Sequence, residues 1–186
     1  MLLLVLLSIL PLWSGEKTTS LGTGLGVGVY PSEGGNTLSS YSFSYVNRVK
    51  VLWVDFILDG SYRRAGEYNE YGVLLGAGFS ADLWQRVRLG LQIGPRFKMV
   101  TDDSGVFWYY DKEGMPQKVS RALDVFAYSP VAYHASCDVL LGPVTVDLFY
   151  DIETKYRFAS WENIKDLIKP DWDNGKFGVA VLYQWK

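Results

Sequence analysis

In the segment RVRLGLQIGPRFK, residues 86–98, Val87, Leu89, Leu91 and Ile93 alternate with Arg86, Arg88, Gly90, Gln92, Gly94, Arg96 and Lys98. Period two is the repeat of a β-strand, so one face is apolar and the other carries charge or no side chain at all. An ordinary strand with one wet face has no use for bare glycine between arginines, because glycine in a strand interior loses entropy and packs nothing. The same split recurs along the chain. TSLGTGLGVGVY puts Gly22, Gly24, Gly26 and Gly28 on one face, with Leu25, Val27 and Val29 on the other. VTVDLFYDIE sets Val144, Val146, Leu148, Tyr150 and Ile152 against Thr145, Asp147, Asp151 and Glu153.

Eight such segments can be marked: 20–30, 37–46, 49–58, 71–83, 86–98, 121–140, 144–153 and 176–185. Their connections alternate in length. Short ones are expected around Asn47-Arg48, from Asp82 to Gln85 and at Gly142-Pro143. Longer polar ones carry PSEGGN, DGSYRRAGEYNE, TDDSGVFWYYDKEGMPQKV and KYRFASWENIKDLIKPDWDNG. Alternation of tight turns with elaborated loops is the pattern of an up-and-down barrel in a membrane.

The charges decide which face is outside. A basic residue facing lipid at the midplane costs about 2–4 kcal/mol. The expected lumen network is therefore Asp55, Arg88, Arg96, Lys98, Asp147, Asp151 and Glu153, with glycines making room for the long side chains. The fold class expected is all-β: an eight-stranded antiparallel up-and-down transmembrane β-barrel with short periplasmic turns and long extracellular loops. Residues 1–15, MLLLVLLSILPLWSG, read as a signal peptide, too short and Pro-interrupted to span a bilayer as a helix, and 16–186 as the barrel.

Composition closes other classes. The net charge of −2 gives no field for nucleic acid. One cysteine, Cys137, and one histidine, His134, leave neither a disulfide framework nor a Cys/His zinc site, and no cofactor or metal is expected.

With this pattern the chain resembles the small eight-stranded outer-membrane barrels, the group containing OmpA, OmpX and OmpW. Its end, FGVAVLYQWK, is similar to their C-terminal insertion signal, with Trp185 one place early and Lys186 last. The resemblance implies an outer-membrane location and a monomer in the lipid bilayer. It implies no enzymatic activity, and contacts with a small hydrophobic ligand or a host surface component made by long loops. Candidate loop contacts are Phe107, Trp108, Tyr109, Tyr110 and Trp161, the last in a stretch, SWENIKDLIKP, with helical spacing that ends at Pro170.

Three alternatives stand beside this. A narrow OmpW-like passage would serve small or hydrophobic solutes. A soluble lipocalin-like carrier lacks its Gly-x-Trp opening and C-terminal helix here. His134-Ala135-Ser136 with Asp147 is similar to the His-x-Ser site of outer-membrane lipid A deacylases, with Cys137 where those have Asn. Strand parity turns His134 and Ser136 inward, away from lipid, which favours a hydrogen-bonding histidine over a general base.

Overall fold

The computed structural model describes residues 18–30, 40–65, 68–101, 107–110, 116–118, 124, 127–157 and 164–184. The strands are β1 (Thr18–Tyr30), β2 (Ser40–Val51), β3 (Val54–Ala65), β4 (Tyr68–Trp84), β5 (Val87–Thr101), β6 (Phe107–Tyr110), β7 (Pro116–Lys118), β8 (Pro130–Leu141), β9 (Val144–Arg157) and β10 (Pro170–Tyr183), with a one-turn helix α1 (Ile164–Leu167). Paired order β4-β3-β2-β1-β10-β9-β8-β5, closed by β4 against β5, makes an eight-stranded antiparallel ring. Closure removes the free edges that would otherwise leave backbone groups unpaired in lipid. The short β6–β7 hairpin continues from the loop end of β5, where Val100 pairs with Trp108.

Alternation sorts the two faces as the charges require. Leu25, Val27, Phe43, Leu91, Leu148 and Val181 lie exposed on the outside, while Arg48, Arg96, Lys176, Asp59, Asp147 and Asp151 are almost fully enclosed. Trp53 stacks on Phe79 near the turn end, and Tyr62 meets Tyr71 toward the other, so aromatic side chains border the apolar band on both sides. The lumen also holds Val46, Ile57, Leu74, Phe149 and Leu182, bulkier apolar groups than small-residue patterning suggests. An eight-stranded ring is just wide enough for side chains to fill it, so apolar plugs and ion pairs share one packed interior.

The glycines mark where that interior is tightest. A Cβ at Gly90 would meet Ser136 Oγ at 2.6 Å and Arg48 Nη2 at 3.0 Å, and one at Gly28 would meet Lys176 Cδ at 2.8 Å. They make room for long cations, as expected. At Gly24 the obstacle is instead the backbone of Val181 and Leu182 across the seam.

Two connections differ from expectation. The turn after β2 is at Leu52–Trp53, not Asn47-Arg48, with Leu52 in the left-handed region at φ 59°. The stretch DGSYRRAGEYNE is not a long loop, for β3 runs to Ala65, β4 starts at Tyr68, and Arg63 lies opposite Glu70 in register. Its polar alternation continues the lumen face rather than ending the strand. Pro130 opens β8, so the sixth segment starts there and not at Arg121. Pro170 likewise opens β10 rather than merely stopping a helix. Residues 1–15, Trp161, Trp185 and Lys186 lie outside the described residues.

Candidate functional site: the charged lumen

Inward residues of β2, β3, β4, β5, β8, β9 and β10 form one branching relay of ions. Toward the loop end, Arg63 donates to Glu70 at 2.5 Å and stands 4.2 Å over the Tyr30 ring. Lys98 lies 3.6 Å from Glu70 and 2.7 Å from Glu153. At the centre, Arg96 reaches Asp151 at 2.5 Å, Asp59 at 3.3 Å and Glu153 at 3.6 Å. Lys176 lies 2.9 Å from Asp151 and 3.3 Å from Asp59.

Toward the turn end, Arg48 crosses the lumen from β2 to Asp138 at 2.7 Å and Asp147 at 3.4 Å. His134 links the two halves. Its Nδ1–H donates to Asp151 at 2.6 Å, its ring stacks on Phe149, and Nε2 stands 4.0 Å from Asp147. Lone buried ions are costly, while paired ones hold each other in a fixed geometry.

Of the seven residues expected in this network, Arg96, Lys98, Asp151 and Glu153 meet in one cluster, and Asp147 joins through Arg48 and His134. Asp55 is buried beside Lys50 at 3.8 Å, apart from that cluster. Arg88 is largely buried on the inward face but stands apart from that cluster, donating Nε to the exposed Asp82 at 2.8 Å. At the barrel mouth a carboxylate half in water is the nearer partner.

Sequence reasoning missed Arg48, Asp59, Arg63, Glu70, Asp138 and Lys176. Each shares strand parity with an inward residue already identified, Asp59 with Asp55 and Lys176 with Gly178, so the signal was present.

The alternative His-Ser-Asp arrangement does not assemble. Among the described residues His134 Nε2 and Ser136 Oγ have no hydrogen-bond partner, so they do not bond each other, and the carboxylate on His134 Nδ1 is Asp151 rather than Asp147. Both groups are buried in the lumen, away from the lipid face. Ser136 is thus not held against His134 as a nucleophile is held against its base.

Of the expected loop contacts, Phe107–Tyr110 form β6 and lengthen the sheet beyond the barrel rim. The helix expected in SWENIKDLIKP is α1, whose Leu167 is buried, and the Tyr133 hydroxyl holds its end through Ile168 O at 2.6 Å. Tyr133 is an outward residue of β8, so Ile168 is held on the outer side of the wall.

An apolar-coated ring around an ionic interior defines a transmembrane β-barrel of the small outer-membrane class. Solved structures share it. Neisserial surface protein A superposes with a TM-score of 0.53 at 12% identity, over 90% of this chain and 96% of that one. Ail, the attachment invasion locus protein of Yersinia pestis, gives 0.48 at 14% identity over 91% and 99%. A de novo designed transmembrane β-barrel gives 0.48 at 10% over 88% and 96%. No protein-family model and no curated protein matches the sequence. The likeness to Neisserial surface protein A shows the fold.

Proposed function

We propose that the protein is a monomeric, non-enzymatic resident of the bacterial outer membrane. It would be exported with residues 1–15 as a cleaved signal peptide and serve as a rigid anchor that presents its loop end to a ligand or host surface component. The carrying observation is the filled lumen: Arg96, Lys176, Asp59 and Asp151, each nearly inaccessible, meet at its centre. A barrel plugged by mutually paired ions has little room for solute and much resistance to bending. The β6–β7 extension and the strands running to Ala65 and from Tyr68 project scaffold, not just loop, toward the partner.

Reconstitution in planar bilayers tests this reading. The wild-type protein is expected to show no resolved conductance steps. Reproducible steps would transfer the assignment to a narrow passage. That second reading draws on the buried polar atoms without partners near Gly90, among them Arg48 Nη2, Gln92 Nε2 and Ser136 Oγ, which ordered water would satisfy. Lipid hydrolysis is tested separately. Ser136→Ala is expected to leave the acylation pattern of co-purified lipid unchanged, and a change in that pattern would reinstate the hydrolase.

A further inference from the structure

The barrel wall is not uniformly convex. On its outer face, across β2 to β5, lies a cavity of about 500 Å³ lined by Phe56, Leu58, Leu75, Ala77, Ile93 and Pro95, with Asn47 at its margin. Leu58 points outward yet is only 9% exposed, so the depression shelters a side chain that a smooth wall would present to lipid. Its origin is local. Pro95 has no N–H to give, and the β4–β5 ladder lapses between Leu74↔Arg96 and Ala77↔Ile93. Ala77 adds little bulk on the outer side, and the backbone at Gly76 and Gly94 is left bare as part of the lining.

Position identifies the occupant. The cavity lies between the Trp53–Phe79 stack and the Tyr62–Tyr71 pair, within the band that faces hydrocarbon. Everything that reaches it comes through the membrane. Its walls are aliphatic and aromatic, apart from the Asn47 amide, which makes no hydrogen bond to another described residue. We propose that this groove is a lipid-binding site that holds one acyl chain of a phospholipid along the Leu58–Leu75–Pro95 row. The gain is the contact area of a chain seated in a concave apolar surface rather than lying over a convex one. The proposal rests on the chain spanning the membrane, and on nothing about conductance or loop contacts.

The test is native mass spectrometry of full-length protein taken from vesicles of dipalmitoyl phosphatidylglycerol into mild detergent. Wild type is expected to carry a one-lipid adduct. Ala77→Phe, which fills the groove from a lipid-facing position, should cut the adduct fraction about tenfold, a difference of about 1.4 kcal/mol. Ala81→Phe, at an exposed position outside the groove, should leave it unchanged, showing that an added ring on the wall is harmless. Heat-modifiable gel migration confirms that each variant is folded. Absence of an adduct on the wild type, or equal retention by folded Ala77→Phe, overturns the proposal. So does a dimer abolished by Asn47→Leu, which would give the groove to a second copy of the chain.

Discussion

Replacing Arg96 by methionine is expected to destabilise the folded barrel by about 3–5 kcal/mol, the cost of leaving buried charge uncompensated. Arg96 is the common partner of Asp151, Asp59 and Glu153, and all three lie inside the ring. Methionine keeps the length of the side chain but removes the cation. Lys176 is then left facing Asp59 and Asp151, helped at Asp151 by the His134 N–H, and Glu153 keeps Lys98. Urea unfolding in detergent micelles, followed by tryptophan fluorescence, reads the loss directly.

Two companions fix its meaning. Arg96→Met combined with Asp151→Asn should recover part of the loss, since each substitution removes the other's orphan. Arg88→Met should cost about 0–1 kcal/mol, because its partner Asp82 is 62% exposed and water screens the pair. Equal effects at Arg88 and Arg96 would mean that burial of the partner carboxylates adds nothing to the network.

That contrast also measures what sequence could tell. Parity along single strands gave both faces of the barrel, and it correctly turned Arg96, Asp151 and His134 inward. It could not give the register between strands, which decides who meets whom. His134 lies directly opposite Asp151 in the β8–β9 ladder, and Asp147 opposite Asp138. No pattern within either strand distinguishes those pairings from the alternative His134–Asp147 contact.

Arg48 was hidden for a different reason. A polar Asn-Arg between two apolar runs has the chemistry of a turn, whereas leucine rarely adopts positive φ, so the real turn at Leu52 carried no signal. Arg63 and Glu70 were hidden by their polarity, which reads as loop until a lumen is there to receive it. Where side chains reach across the ring, as Arg48 does to Asp138, the sequence separation is 90 residues and only closure brings the partners together.

At the seam between β1 and β10 closure is exposed to a single methyl group. Gly24→Ala should abolish most of the folded, heat-modifiable form after refolding in detergent, whereas Gly26→Ala should cost about 1–3 kcal/mol, as overpacking does. The difference lies in what each added Cβ would strike. At Gly26 the nearest atom is the Cβ of Ala180 at 2.9 Å, with the Val179 carbonyl oxygen at 3.0 Å, and small shifts relieve both. At Gly24 the carbonyl of Val181 occupies the space itself, and the Cα of Leu182 stands at 2.8 Å. Those atoms belong to the ladder that joins the first strand of the ring to the last, in which Gly24 pairs with Leu182. They cannot withdraw without opening it. An open seam in hydrocarbon exposes a row of unpaired amides, each costing several kcal/mol, so strain at one residue becomes failure of the whole ring. Normal yield of folded Gly24→Ala would show that the two strands can slide apart locally, and the glycine ladder would then need another cause.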